Sequence, residues 1–220
     1  GLRNTRLKIV EMSLDETGKW SNSKNLEFCS SEYNCSHPTL TPDGKSLIFS
    51  SDMPGGFGGM DLYKCTKNAE GEWMKPTNLG QHINTQGNEI FPTIHLDGSL
   101  YFSSDLHVGY GGLDLYKCVQ DDDSWAIPEN LGAPINSSKD DFGICLDKDG
   151  ESGFFSSNRN IESKDDVLFF RITSNVILEG TVVDCVSREP IPTAQLKLSG
   201  SDYYSDMTFT DENGAFKMSL

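Results

Sequence analysis

His37-Pro38-Thr39-Leu40-Thr41-Pro42-Asp43-Gly44-Lys45-Ser46-Leu47-Ile48-Phe49-Ser50-Ser51-Asp52 returns 54 residues later. There it reads Phe91-Pro92-Thr93-Ile94-His95-Leu96-Asp97-Gly98-Ser99-Leu100-Tyr101-Phe102-Ser103-Ser104-Asp105. A weaker third copy runs Phe142-Gly143-Ile144-Cys145-Leu146-Asp147-Lys148-Asp149-Gly150, then Phe154-Phe155-Ser156-Ser157-Asn158, and lacks the proline of the other two. Two further elements keep the same period. Gly58-Gly59-Met60-Asp61-Leu62-Tyr63-Lys64-Cys65 becomes Gly111-Gly112-Leu113-Asp114-Leu115-Tyr116-Lys117-Cys118, with Asp166-Val167-Leu168-Phe169 as its degenerate third form. Trp20, Trp73 and Trp125 recur at intervals of 53 and 52 residues, each followed by Asn-Leu (Asn25-Leu26, Asn78-Leu79, Asn130-Leu131). Three registers at one period identify a structural repeat.

Each unit translates into four short strands. Apolar runs flank Asp43-Gly44, Asp97-Gly98 and Asp149-Gly150, which are tight-turn dipeptides: the carboxylate bonds nearby backbone and glycine tolerates the turn. Asp-Leu-Tyr-Lys-Cys supplies a third strand, and a fourth holds the tryptophan and ends near Asn-Leu-Gly. Four antiparallel strands in about fifty residues match a propeller blade. One blade cannot bury both of its faces, so neighbours must stack on it. The expected core is Leu47, Phe49, Leu62, Tyr63 and Trp73, with Leu100, Phe102, Leu115, Tyr116 and Trp125. Residues 7–28 supply only the last two strands of a blade. Two whole blades follow, then three strands of another. A closed propeller needs at least about four blades, so both ends read as cuts through a longer protein.

From Ile177 the pattern changes. Ile177-Leu178-Glu179-Gly180-Thr181-Val182-Val183-Asp184, Pro190-Ile191-Pro192-Thr193-Ala194-Gln195-Leu196-Lys197-Leu198 and Thr208-Phe209-Thr210-Asp211-Glu212-Asn213-Gly214-Ala215-Phe216 alternate strands with Asx-Gly turns, the habit of a small sandwich. The expected fold is therefore all-β: a partial β-propeller of four-stranded blades over 1–173, on a repeat of about 53 residues, then a small truncated β-sandwich over 177–220.

Composition narrows the function. The 220 residues carry a formal net charge of −15, with 36% hydrophobic and 10% aromatic residues. Aromatics in every segment exclude a disordered chain. The acidity disfavours nucleic acid and anionic lipid as partners, and no run of 18 apolar residues is present for direct membrane insertion. Cys29, Cys35, Cys65, Cys118, Cys145 and Cys185 form no CxxC or zinc-spaced set. Cys29 and Cys35 could pair across Ser30-Ser31-Glu32-Tyr33-Asn34 in an oxidising compartment, or serve, like the others, as small buried apolar residues.

No catalytic constellation emerges. His37, His82, His95 and His107 read as structural, and neither a Gly-x-Ser-x-Gly elbow nor His-Glu-x-x-His occurs. The Gly55–Gly59 and Gly109–Gly112 clusters lead into strands, whereas a phosphate cradle leads into a helix N-terminus. Asp52 with Asp61, and Asp105 with Asp114, could place loop oxygens around calcium, but no contiguous calcium loop exists. A cap or turn role is expected for them, and a solvated turn for Asp121-Asp122-Asp123. No cofactor and no metal are implied. The candidate interaction loops are those carrying Phe57, Tyr110, Asp52 and Asp105, since loop aromatics are common anchors.

The Pro-x-x-x-Pro-Asp-Gly-Lys-x-Leu-x-Phe-Ser-Ser-Asp pattern at 38–52, with Gly-Gly-x-Asp-Leu-Tyr at 58–63, resembles the PD40 (WD40-like, TolB-type) repeat. Trp73-Met74-Lys75-Pro76-Thr77-Asn78-Leu79-Gly80-Gln81-His82-Ile83-Asn84-Thr85 is similar to a version in OmpA-family envelope proteins of Bacteroidetes. The tail resembles the carboxypeptidase regulatory-like domain. Together they resemble envelope components of the type IX secretion system that combine helical repeats, a propeller, this sandwich and a peptidoglycan-binding OmpA-like domain. That resemblance implies a non-enzymatic scaffold, periplasmic and outer-membrane associated. Its partners would be outer-membrane or secretion-system proteins, with peptidoglycan reached through a domain outside this sequence. The alternatives are a glycan- or peptide-binding propeller, or the propeller of a hydrolase whose catalytic domain lies elsewhere.

Overall fold

The computed structural model describes residues 5–121, 124–160, 162, 164–172, 177–199 and 205–219. Every regular element among them is a β-strand, and no described helix is long and apolar enough to cross a membrane. The chain divides into two compact units, Gly1–Arg171 and Ile172–Leu220.

The first unit is a series of propeller blades. An antiparallel pair, β1 (Val10–Leu14) and β2 (Trp20–Asn25), comes first. The next blade is β3 (Cys35–Leu40), β4 (Ser46–Ser51), β5 (Asp61–Thr66) and β6 (Thr77–Asn78), in that spatial order. A second blade repeats it with β7 (Glu89–Ile94), β8 (Leu100–Ser104) and β9 (Asp114–Cys118). Its outer part is a short hairpin, β10 (Gln120–Asp121) with β11 (Ser124–Trp125), and then β12 (Glu129–Asn130), which pairs with β9. A third, three-stranded sheet joins β13 (Asp141–Leu146), β14 (Ser152–Ser157) and β15 (Asp166–Arg171). The first strands β3, β7 and β13 lie side by side, so they are the innermost strands.

All three inner strands carry a bulge, between Ser36 and Thr39, Ile90 and Thr93, and Phe142 and Cys145. The bulged residue has positive φ each time: 49° at His37, 53° at Phe91 and 66° at Gly143. Gly143, not Phe142, is thus the structural counterpart of Phe91. Glycine takes this conformation without the strain that a side chain brings. The same alignment sets Ile144 against Pro38 and Pro92.

The fourth strand departs from expectation. Trp73 makes only an isolated bridge to Lys67, and paired strand resumes at Thr77. Trp125 sits in the β10–β11 hairpin, and pairing with β9 resumes at Glu129. Pro76 and Pro128 stand between, and proline has no N–H to give to a ladder. Residues 20–25 contain no proline, and there the strand is continuous from Trp20 to Asn25.

The core lies between blades rather than within them, because successive side chains on a strand face opposite neighbours. Leu47, Phe49, Tyr63 and Cys65, with Cys35 of the same blade, pack back onto Ile9, Leu26 and Cys29. Ile48 and Leu62, one residue out of phase, pack forward onto Leu100, Phe102, Tyr116 and Cys118 with Ile83. Tyr101 and Leu115 repeat the step with Ile144 and Phe155. Phe49, Leu62, Leu100, Phe102 and Leu115 have no exposed surface, and each such side chain contributes roughly 1.5–3 kcal/mol of apolar burial. Trp73 and Trp125 are only partly buried against these clusters, contrary to their expected core role. Trp73 lies on the blade rim, where Lys67 stacks over its ring at 4.6 Å and its indole N–H donates to Glu11 at 3.3 Å.

In the second unit β16 (Ile177–Thr181) pairs with β19 (Ala215–Ser219), and β17 (Gln195–Ser199) with β18 (Ser205–Phe209), all antiparallel. Asp211 accepts from Asn213 N at 2.8 Å and Ala215 N at 2.9 Å, closing the turn at Asn213-Gly214. Thr210 Oγ1 donates to Ile191 O and accepts from Ala194 N, both at 2.8 Å.

Candidate functional site

The loops carrying Phe57 and Tyr110 connect the second and third strands of consecutive blades. Each is wound around the aspartate that ends it. Asp61 accepts from Phe57 N at 2.6 Å and Gly58 N at 3.2 Å, and Asp114 from Tyr110 N at 2.9 Å and Gly111 N at 3.0 Å. The strand tyrosines add a second tie: Tyr63 OH donates to Met53 O, and Tyr116 OH to His107 O and Val108 O. The repeated glycine pair serves close approach to the next blade. A Cβ on Gly58 would meet Gln86 C at 2.4 Å, and one on Gly111 would meet Lys139 O at 2.0 Å. With the backbone so fixed, Phe57 (47% exposed) and Tyr110 (59%) project outward, accompanied by Leu106 and Val108.

Asp52 and Asp105 open the same two loops, directly after the second strand, and turn their carboxylates toward the start of the inner strand. Asp52 accepts from Asn34 N and Asn34 Nδ2, with Arg6 at 3.8 Å, and Asp105 accepts from Asn88 N at 2.7 Å and Asn88 Nδ2 at 2.6 Å. In the third blade the pair is reversed. Asp140 N donates to Asn158 Oδ1 and Asn158 Nδ2 donates to Asp140 Oδ2, both at 2.8 Å. The first member of each pair also reaches back to the preceding blade: Asn88 Oδ1 accepts from Met60 N, and Asp140 Oδ1 from Leu113 N. Asp52, Asp61, Asp105 and Asp114 therefore give oxygens to backbone and amide donors, while Asp114 Oδ1 is buried without a hydrogen-bond partner. Among the described residues no group of three or more His, Cys, Asp or Glu side chains is arranged to hold a metal. Asp122 and Asp123 lie outside the described residues.

The structure adds residues that sequence reading passed over. Asn84 and Asn136 are almost fully buried and clamp the strands Leu62 and Leu115: each accepts the strand N–H and donates to the same residue's carbonyl. Glu89 and Asp141, with no exposed surface, open the inner strands. Glu89 accepts from Thr85 N, Thr85 Oγ1 and Ser104 Oγ, and burial pushes its carboxyl above the usual range. Asp141 accepts from Ser137 N and Oγ and pairs with Arg159 at 2.6 Å. The regular spacing of Asn-x-x-x-x-x-Asn (78 to 84, 130 to 136) was the available signal.

Beside the inner strands, Thr5, Leu7, Asn34, Ser36, His37, Met60, Asn88, Ile90, Asp105 and Leu113 line an open cleft of about 500 Å³. His37 stacks on Phe91 at 3.9 Å, Phe91 on Phe142 at 5.2 Å, and burial lowers the imidazole's pKa. His95 bonds Asp147 O at 2.9 Å and His107 bonds Ile83 O at 2.8 Å.

No family model matches this chain, and no curated protein does. Among solved structures it is similar to a puromycin-hydrolysing peptidase of Mycobacterium tuberculosis: 18% identity over 72% of this chain and 22% of that one, TM-score 0.44. It is also similar to a puromycin hydrolase mutant complexed with PGG: 12% identity over 83% of this chain and 34% of that one, TM-score 0.38. The chain thus spans between about a fifth and a third of those proteins.

Proposed function

We propose that this chain is a non-enzymatic interaction module of a periplasmic, outer-membrane-associated scaffold. In this reading it belongs to an OmpA-family envelope protein of the PorE type, which ties outer-membrane or type IX secretion machinery to peptidoglycan through another domain. The observation that carries the reading is the pair of loops joining the second and third strands of the two blades: Phe57 and Tyr110 stand exposed on them, with backbones held by Asp61, Asp114 and the neighbouring blade. Aromatic side chains on a preorganised backbone lose little entropy on binding, which is what an interface anchor requires. The PD40-like repeats and the carboxypeptidase regulatory-like tail support the envelope setting.

The test is capture from Bacteroidetes envelope extracts by the intact protein and by a Phe57→Ser/Tyr110→Ser variant. Retention of an outer-membrane or secretion-system protein by the first and not the second is expected. Equal retention by both, or recovery of neither envelope protein nor peptidoglycan, would sink the proposal. The open cleft beside the inner strands favours a second reading, a small glycan or peptide held there. Calorimetric binding of cell-wall fragments that is abolished by substitution of His37, and not of Phe57, would select it.

A further inference from the structure

Each crossing from one blade to the next ends at the first residue of an inner strand. Three residues hold that place: Cys35, Glu89 and Asp141. Their backbone N–H groups donate to Leu7 O, Met60 O and Leu113 O of the preceding blade, at 2.9, 2.6 and 2.7 Å. Opposite them in the sheet stand Ser51, Ser104 and Ser157. In the second and third blades a side chain of the crossing loop is tied to this residue. Thr85 Oγ1 donates to Glu89 at 2.7 Å, and Ser137 Oγ to Asp141 at 2.8 Å. At the first crossing the strand residue is Cys35, and the loop side chain that meets it is Cys29, six positions before it and not four as in the other two crossings. Both are buried in the same cluster, both are thiols in this structure, each shifts the ionisation of the other, and Cys35 Sγ also lies 3.8 Å from Ser51 Oγ.

We propose that Cys29 and Cys35 are a disulfide-forming pair, the covalent form of the loop-to-strand tie that the other crossings make with Thr85–Glu89 and Ser137–Asp141. Neither thiol is hydrogen-bonded to a carboxylate, so the reduced pair has only weak sulfur contacts, such as Cys35 Sγ to Ser51 Oγ, where the other crossings have carboxylate-accepting bonds. The Cys35 thiol lowers the Cys29 thiol to about 7, while the same contact raises that of Cys35. Cys29 is therefore the attacking sulfur. Its thiolate displaces one thiol from a disulfide donor, either oxidised glutathione or an oxidised dithiol carrier, giving a mixed disulfide. Cys35 loses its proton to solvent and attacks the Cys29 sulfur, releasing the second thiol. Two protein thiols are oxidised and one donor disulfide is reduced. Cys65 lies in the same cluster, but burial pushes its thiol up to about 12, which makes it a poor competitor.

The experiment folds the full chain in a glutathione redox buffer, blocks free thiols under denaturing conditions, and maps peptides without reduction. A Cys29–Cys35 cross-link, with Cys65 and Cys118 alkylated, is expected in most molecules. A Cys145→Ser/Cys185→Ser variant, lacking the two exposed thiols, must give the same link, and reduction must lower its urea midpoint. Alkylation of both Cys29 and Cys35 in the folded-then-denatured protein would overturn the proposal, as would Cys29 linked to Cys65.

Discussion

The reversed pair in the third blade allows a sharp test of how the blades are joined. Asn88–Asp105 and Asp140–Asn158 form the same network with the amide and the carboxylate exchanged. Asn158→Asp alone sets two carboxylates where an amide donated at 2.8 Å. The variant loses one hydrogen bond to a charged group, worth about 1.5–3 kcal/mol. It also gains a repulsion of roughly 4 kcal/mol for unit charges 4 Å apart at a near-surface dielectric. Protonating one carboxyl caps the penalty, since holding an ordinary aspartate neutral at pH 7 costs about 4 kcal/mol. Both groups are partly buried, so a loss of about 2–4 kcal/mol is expected. Asp140→Asn alone keeps an acceptor for Leu113 N but turns an amide donor toward Asn158 Nδ2, so it loses the same charge-assisted bond and costs about 1.5–3 kcal/mol. The double variant recreates the second blade's arrangement and returns to within about 1 kcal/mol of the parent, a coupling well outside additivity. Urea unfolding followed by tryptophan fluorescence reads the right unit, because Trp20, Trp73 and Trp125 all lie in it. The defect of Asn158→Asp should also shrink as pH falls, since the shared proton raises a folded-state pKa and stability is regained below it. Additive losses in the double variant would refute the reasoning.

Gly111→Ala, whose Cβ would sit 2.0 Å from Lys139 O, should cost about 3 kcal/mol or more by forcing backbone apart; a midpoint shift equivalent to less than about 1 kcal/mol would show that the blades slide freely. Cys65 and Cys118, both pushed up to about 12 by burial, should resist iodoacetamide at pH 8 in the folded protein, while exposed Cys145 and Cys185 are alkylated, as peptide mapping will show. Glu89's carboxyl is raised by burial, so its ionisation weakens the fold as pH rises past the ordinary glutamate range. Glu89→Gln, whose amide can donate to the Thr85 and Ser104 hydroxyls, should therefore flatten the stability–pH curve above about pH 4.5, and an unchanged slope would contradict this. At His95, burial disfavours the charged form, but the Asp147 carbonyl and the Asp97 carboxylate outweigh it and raise the pKa. Its stabilising contribution is present below about 6.5 and lost as pH rises through the folded value; an imidazole titrating below a free histidine by NMR would be inconsistent with that.

Much of the fold was legible because blades repeat. Asp43-Gly44 and Asp97-Gly98 marked their hairpins, with Asp43 accepting Lys45 N and Asp97 accepting Ser99 N. At the third hairpin the capping role passes to Asp147, which accepts Glu151 N at 3.2 Å, so the dipeptide signal located the turn without naming its cap. The tryptophans marked the outer strand's position correctly but not its form, because Pro76 and Pro128 interrupt a ladder that Trp20–Asn25 keeps whole. Phe57 and Tyr110 were readable as loop aromatics. Asp52 and Asp105, for which a cap or turn role was expected, open the same loops and hold the inner strand of their own blade through Asn34 and Asn88.

The sequence alone determined the all-β class, the blade period and the phase of the strands, since these depend on local turn chemistry and on side chains repeating every two residues. Which face of a strand meets which neighbour was decided only in three dimensions. Leu47 and Ile48 are adjacent, equally apolar and equally buried, yet they belong to different cores. The same holds for Glu89, Asp141 and Cys35, whose equivalence is invisible as residue types and follows from one shared backbone bond to the blade before. A local pattern fixes which way a side chain points; what it points at depends on the packing of chain segments some fifty residues apart.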